Sequence, residues 1–351
     1  MTKFIAIFNN KGGVGKTTTI WNLAISLAEK NQKTLIIDFD PQCNLSIATL
    51  GSDQFSKLLQ SHVGLPYGQT IRAFALPYLQ QSTPGNVFLA KPKLGPVNKK
   101  LDVIPGDFWL NTFADVLNVG NDVINGAGLY RFLLLSHLVE KLRKQQCIYD
   151  YVLIDLPPSF NALVRSALYS SDYFIVPCTP DEFSAYCIGL IGQVLPSFIL
   201  DWQQGKSRFL DVNPHDNVIP KLGTPCFGGW VFNGFDTRKK SGSNLIAATG
   251  ADQAQFDKIK HSVGQHLIPR LNQLNYQAKP NFINDDPIAR IEDLNVMAPD
   301  SIVQNIPIKY LKYYRPTRQI RRGGWSSDQK ALMQKMDQEY DQLADLIITK
   351  F

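Results

Sequence analysis

The chain has 351 residues, enough to bury a sizeable core as one large domain or two small ones. With 44% apolar and 19% charged residues and a mean hydropathy of −0.13, its composition is that of an ordinary globular protein, without internal repeats or low-complexity tracts. The net charge of +6 tilts it toward an acidic partner, such as nucleic acid or an anionic membrane face. Cys43, Cys147, Cys178, Cys187 and Cys226 are scattered and form no C-x-x-C pair, which points to free thiols in a reducing compartment and away from a structural zinc site. No apolar run approaches membrane-spanning length and the first strand starts at once, so a cytoplasmic location is expected.

In chain order, the apolar run Phe4 to Phe8 leads into Asn10-Lys11-Gly12-Gly13-Val14-Gly15-Lys16-Thr17-Thr18. A helical pattern follows, with Ile20, Leu23, Ala24, Leu27 and Ala28 on one face. Strand, glycine-rich loop and helix in that order make a phosphate cradle. Gly12, Gly13 and Gly15 let the loop wrap closely with its N–H groups directed inward. Lys16 can reach β- and γ-phosphates, and the Thr17 hydroxyl can ligate Mg²⁺.

The loop departs from G-x-x-x-x-G-K-[ST] at Asn10 and reads K-G-G-x-G-K-[ST], with an additional lysine, Lys11. That pattern resembles the deviant Walker A motif of the ParA/MinD family of ATPases. The resemblance implies ATP and Mg²⁺ as ligands and Gly12, Gly13, Val14, Gly15, Lys16, Thr17 and Thr18 as nucleotide-binding residues. It also implies that Lys11 reaches across to the nucleotide of a second subunit. Thr34 to Asp38 is an apolar strand ending in an acid, and Asp38-Phe39-Asp40-Pro41-Gln42 resembles the family's D-x-D-P-Q motif. By that resemblance Asp40 orients the attacking water and Asp38 supports Mg²⁺ through its hydration shell. From the residues alone, a solvated turn is the alternative.

Residues 51–100 have mixed spacing, with Pro66 and Pro77 expected to break any long helix and Lys91, Lys93, Lys99 and Lys100 in a basic loop. Leu101 to Gly106 reads as the next core strand, and the segment before it as an insertion. Tyr130 to Lys144 is an amphipathic helix feeding the strand Tyr151 to Asp155. An apolar strand ending in aspartate is the Walker B arrangement, with Asp155 supporting hydrated Mg²⁺, and Asp155-Leu156-Pro157-Pro158 resembles the family's switch segment. A helix over 161–171, a strand over 172–177 and a helix from Asp181 onward follow; Asp181 and Glu182 read as cap and dipole residues ahead of a general-base role. Gly228 to Asn233 is a further strand, and by resemblance Asn233 is the candidate against the adenine ring. A strand-end Asn satisfying its own turn is the alternative.

From 239 to 300 the resemblance thins, with a helix-like pattern from Phe256 to Leu274. Residues 301–327 carry Lys309, Lys312, Arg315, Arg318, Arg321 and Arg322 and no acid, interleaved with Tyr310, Tyr313, Tyr314 and Trp325. Such a surface suits salt-sensitive, sequence-independent DNA binding, as the ParA branch implies; a solvated basic loop with core tyrosines is the alternative. The last helix, from Ser327, has Leu332, Met336, Tyr340, Leu343 and Ile347 in a stripe. Its acids outnumber its lysines, unlike a membrane-surface helix, so packing on the sheet is expected.

These readings give a mostly parallel, doubly wound α/β sheet with helices on both faces, of the P-loop NTPase type. They give one ParA-like ATPase domain over 1–351, with insertions near 51–100 and 239–300. The resemblance implies a Mg²⁺-dependent ATPase, with Lys11, Lys16 and Asp40 catalytic, that forms a homodimer on ATP binding. It further implies non-specific DNA binding, a ParB-like activating partner and a role in plasmid or chromosome partitioning, with nucleoid association if DNA binding holds. A MinD-like membrane-surface ATPase, a ParA-like switch acting on a protein target, and a small-molecule kinase or synthetase are the other readings.

Overall fold

The computed structural model describes residues 2–81, 83–94, 99–118, 122–126, 128–239, 246–317 and 323–351. In chain order its strands are Lys3–Ile7 (β1), Thr34–Asp38 (β2), Leu101–Ile104 (β3), Tyr151–Asp155 (β4), Tyr173–Cys178 (β5), Cys226–Phe235 (β6), Thr237–Lys239 (β7), Ile246–Ala248 (β8) and Ala289–Glu292 (β9). Seven of them form one sheet in the order β3-β2-β4-β1-β5-β6-β9, every neighbouring pair parallel, while β7 and β8 make a separate antiparallel hairpin. The fold is the doubly wound α/β sheet expected from the sequence.

Central strands such as β2 and β4 are buried at every residue, which is why they read as unbroken apolar runs instead of alternating ones. Alternate side chains serve opposite layers. Ile5, Ile7, Ile36 and Leu153 pack with Ile20, Leu23 and Leu27 of the helix Lys16–Glu29 and with Leu343 and Ile347 of the helix Ser327–Lys350. Ala6, Phe8, Leu35, Ile37, Val152 and Ile154 pack on the other face with the helices Leu134–Lys144, Ala162–Tyr169 and Glu182–Val212. A fully buried Leu or Ile contributes roughly 1.5–3 kcal/mol, so this double layer holds the strand ends in place.

The helix Glu182–Val212 is long and apolar enough to cross a membrane by length and composition, a property the sequence reading did not register. Here its apolar stripe has a packing role: Cys187, Ile188, Ile191, Leu195, Ile199 and Trp202 are buried against the sheet layer. Residues 51–100 hold only the short helices Ser52–Leu59 and Arg72–Gln81, and Pro77 lies inside the second. The helix is only ten residues long, and the Ala73 carbonyl that Pro77 deprives of its N–H partner abuts Gly85. Residues 239–300 supply the helix Gly250–Ser262, a π-turn at Val263–Leu267 and β9, an edge strand that the sequence reading missed.

The last helix docks on Lys16–Glu29 and on β9, and its junction explains Lys309. Expected on a DNA-facing surface, Lys309 instead sits between helices and pairs with Glu29 at 2.9 Å, Asp337 at 2.7 Å and Asp341 at 3.0 Å. Burial works against its charge, but its hydrogen bonds to Asp337, Glu29 and Asp341 outweigh that and push its pKa above the usual lysine value. Replacing Lys309 by Ala leaves three carboxylates facing one another and is expected to cost about 1–3 kcal/mol of unfolding free energy, with Lys309→Arg recovering most of it. Urea denaturation reads this directly, and an unchanged midpoint for Lys309→Ala rejects the internal tie.

Candidate functional site

The phosphate loop leaves β1 through Asn9, a fully buried side chain that fixes the loop's entry. Its amide donates to the Pro177 carbonyl at 2.7 Å, and its Oδ1 accepts the Lys11 N–H at 2.9 Å. Gly15 ends the loop in the left-handed region (φ +82°), and a Cβ there would stand 2.9 Å from the Asn233 amide nitrogen. The helix Lys16–Glu29 starts without a side-chain cap, so its first-turn N–H groups are free to meet an anion. Lys16 is buried and its Nζ spans the loop, donating to the carbonyls of Lys11 at 2.9 Å and Asn9 at 3.2 Å. Burial lowers its pKa, against the opposing pull of Asp155 and Asp40.

Three acids arrive from two adjacent strand ends. Asp38 and Asp155 are register partners on β2 and β4, and Asp40 follows β2 directly. The Thr17 hydroxyl donates to Asp155 Oδ2 at 2.8 Å, while Asp155 Oδ1 is buried without a hydrogen-bond partner. Burial, reinforced by the charge of Asp38, pushes the Asp155 carboxyl up to about 8. An oxygen pair with one buried, unpartnered member beside a hydroxyl fits a hydrated divalent cation, and Thr17 and Asp155 are the residues that would hold it. Asp40 lies at the edge of a cavity of about 430 Å³ whose other walls include Gly12, Gly15, Lys16, Thr17 and Pro158. Its carboxyl is raised by burial, and its Oδ1 accepts the Gln42 N–H at 2.9 Å.

Asp38 is turned away from that cavity's lining. It is fully buried, with Oδ2 accepting from the Ser46 N–H and hydroxyl and Oδ1 from the Asp40 N–H. Protein donors thus engage both of its oxygens, and Asp38 is not among the residues lining that cavity. Asn233 likewise faces the loop: its amide donates to the Val14 carbonyl at 3.0 Å and to Thr19 Oγ1 at 3.2 Å, leaving Oδ1 buried and unpartnered. The adenine reading of Asn233 is thus narrowed to Oδ1, since the amide nitrogen already braces the loop. It lines a second cavity, of about 120 Å³, with Gly15, Thr18, Thr179, Leu294 and Tyr340.

Lys11 does not point to solvent. Its Nζ pairs with the Asp181 carboxylate and donates to Thr179 Oγ1 at 2.9 Å and Ser184 Oγ at 3.4 Å. Asp181 is also the N-cap of the helix Glu182–Val212, accepting the Ser184 N–H at 3.0 Å, as its cap reading predicts. Burial raises its carboxyl, but the hydrogen bonds from Lys11, Thr179 and Ser184 prevail and hold it below the usual range. No pattern in the sequence connects position 11 with 181, so this dock was illegible there.

The structure therefore gathers Gly12 to Thr18, Lys11, Asp38, Asp40, Asp155 and Asn233 in one region. Lys312 and Arg315 are not among the residues around either cavity; Arg315 is exposed and the Lys312 ammonium lies 5.3 Å from the Tyr313 ring. Arg318, Arg321 and Arg322 fall outside the described residues.

A phosphate loop after β1 of a parallel sheet, with acids at the neighbouring strand ends, defines a P-loop nucleotide-binding protein. Comparison with known proteins agrees. The AAA domain family AAA_31 matches residues 2–202, more than half of the chain. The chain is 35% identical over 183 residues to the chromosome partitioning protein ParA of Caulobacter vibrioides, covering 52% of this chain and 58% of that one. Its fold is similar to that of McdA in the Cyanothece McdA(D38A)-ATP complex, with a TM-score of 0.59 and 16% identity over 99% of this chain and 96% of the other. The septum site-determining protein MinD complexed with Mg-ADP, from Pyrococcus horikoshii, gives a TM-score of 0.51 and 18% identity over 99% and 96% of the two chains. The chain belongs to the ParA/MinD family. It spans between 56% and 65% of the length of the curated relatives it matches here.

The buried carboxylates set a pH dependence. Asp155 has a raised folded-state pKa, so between about pH 4 and 8 the folded chain retains a proton that the unfolded chain has released. Stability then falls as pH rises through that window. Asp155→Asn keeps the acceptor for Thr17 and removes the charge; in chelator-treated, nucleotide-free protein it is expected to stabilise by about 1 kcal/mol or more at pH 8 and to change little at pH 4. Thermal or urea unfolding at the two pH values tests this, and equal effects at both would refute it.

Proposed function

We propose that the protein is an ATP-driven switch: it binds ATP with Mg²⁺, closes into a homodimer, and resets by slow hydrolysis that a partner protein accelerates. The observation that carries this reading is one cavity lined by Gly12, Gly15, Lys16, Thr17 and Asp40, with the Thr17 hydroxyl tied to Asp155 behind it and Lys11 docked close by on Asp181. Bound Mg²⁺ would neutralise phosphate charge. The chain's own residues do the rest: Gly12 to Thr18 cradle the phosphates, Lys16 holds the terminal one, and Asp40 orients the attacking water. Support comes from relatives, since McdA is crystallised with ATP and MinD with Mg-ADP.

In this reading Lys11 leaves Asp181 and enters the opposite active site when the dimer closes. Residues 1–351 act as one unit with additions at 51–100 and 239–300. The dimer binds DNA without sequence preference through the basic stretch represented by Lys312 and Arg315, and a ParB-like partner triggers release. The likeness to a chromosome partitioning ParA supports a role in plasmid or chromosome partitioning or cargo positioning, in the cytoplasm and on the nucleoid. The terminal helix, buried through Met336, Tyr340, Leu343 and Ile347, does not favour the membrane-surface alternative.

Sedimentation with a non-hydrolysable ATP analogue is expected to give a dimer for the wild type and a monomer for Lys11→Ala, with Lys16→Ala losing at least about tenfold in nucleotide affinity or hydrolysis. Gel shifts with unrelated DNA, with and without ATP across a salt series, are expected to show ATP-dependent, salt-sensitive binding. A wild type that stays monomeric with the analogue bound removes the dimer switch. DNA binding that is absent or indifferent to ATP removes the partitioning role and leaves the nucleotide switch alone.

A further inference from the structure

Ser46 stands in the first turn of the short helix Asn44–Leu50 and is fully buried. Three parts of the chain meet at its hydroxyl and N–H. The hydroxyl donates to Asp38 Oδ2 at 2.6 Å, the N–H donates to the same oxygen at 2.8 Å, and the hydroxyl accepts the Gly106 N–H at 2.8 Å. The other Asp38 oxygen accepts the Asp40 N–H at 3.3 Å. The chain from Asp40 to Ser46 is therefore pinned at both ends to one buried carboxylate. Asp40 and Gln42, which border the phosphate cavity, lie on that pinned span. The fit leaves no slack, since a Cβ at Gly106 would stand 2.9 Å from the Asp38 carboxyl carbon.

We infer that Ser46, acting through Asp38, is the positioning residue for Asp40: it holds the water-orienting carboxylate at the phosphate cavity without touching substrate. The inference rests on the ATP-hydrolysis reading above. Removing the hydroxyl strips Asp38 of its shortest hydrogen bond and leaves the buried Gly106 N–H without its acceptor. The phosphate loop has no hydrogen bond to Ser46, so nucleotide binding should survive while the span carrying Asp40 loosens. A carboxylate displaced by about 1 Å can cost on the order of a hundredfold in rate.

The test compares Ser46→Ala, Ser46→Thr and Gly106→Ala with the wild type. Ser46→Ala is expected to lower kcat about 10- to 100-fold with KM for ATP within about threefold of wild type, and Ser46→Thr to restore the rate. Gly106→Ala, which displaces Asp38 from the other side, is expected to reproduce the loss. Amide hydrogen exchange on nucleotide-free protein gives a readout independent of activity: residues 39–45 should exchange faster in Ser46→Ala, with residues 12–18 unchanged. A wild-type kcat in Ser46→Ala, a parallel rise in KM, or unaltered exchange over 39–45 would overturn the assignment. Should Ser46→Ala not fold, a wild-type rate in Gly106→Ala overturns it equally. If Ser46→Ala exchanges as described but the wild type hydrolyses no ATP, the ATPase reading falls and, with it, this role for Ser46.

Discussion

Placing two aspartates side by side at the dry ends of β2 and β4 is the constraint around which this molecule is built. Asp38 and Asp155 are buried register partners on directly paired strands, and burial raises the pKa of both, Asp38 to about 7. A fold tolerates such a pair only where donors or cations answer the charge. The chain answers the two differently. Asp38 receives three hydrogen bonds from its own loop and becomes structural, whereas Asp155 receives one from Thr17 and keeps an oxygen bare. Equivalent positions on neighbouring strands thus differ in how far the protein itself satisfies them.

The same economy governs the lysines. Lys16 is held over the cavity by backbone carbonyls alone, a weak set of partners for a buried ammonium, which its lowered pKa reflects. A phosphate would be a better one. Lys11 is in the opposite condition, since a carboxylate and two hydroxyls already hold it at the head of the helix Glu182–Val212. An ammonium so held moves only to a site that offers comparable negative charge. The two lysines of the loop therefore differ in how they are held: one by backbone carbonyls alone, the other by a carboxylate and two hydroxyls.

The sequence makes the central machinery legible because its requirements are local. A tight anion loop needs glycines at fixed offsets, and the buried strands beside it need unbroken apolar runs, so Gly12 to Thr18, β2, β3 and β4 can be read in one dimension. The clean stripe of the terminal helix was equally legible, down to Met336, Tyr340, Leu343 and Ile347. Contacts far apart in the chain left no trace: the Lys11–Asp181 dock, the Asn233 brace behind Gly15 and the inward turn of Lys309 all depend on which elements the topology makes neighbours. Composition misled at Lys309, which stands in a basic run without acids of its own. Lys309 finds its acids on other helices, at Glu29, Asp337 and Asp341. β9 was missed because Ala289-Arg290-Ile291-Glu292 alternates small or apolar with charged residues and shows no apolar run.

The region least readable from sequence is mechanically connected to the lysine dock. The segment following β8 packs along the helix that Asp181 caps. Lys258 pairs with Glu182 at 2.6 Å, the Ser262 hydroxyl donates to the Ala185 carbonyl at 2.8 Å, and the π-turn brings the His266 carbonyl against Gly192. Each contact falls within the first three turns of that helix, the turns that also carry Ser184 and Cys187 beneath the phosphate loop. A helix gripped along one side near its N-terminus cannot tilt or unwind independently of the grip. Whatever bears on residues 250–271 therefore bears, through one rigid helix, on the carboxylate that holds Lys11. In physical terms residues 250–271 brace the helix whose N-cap holds Lys11.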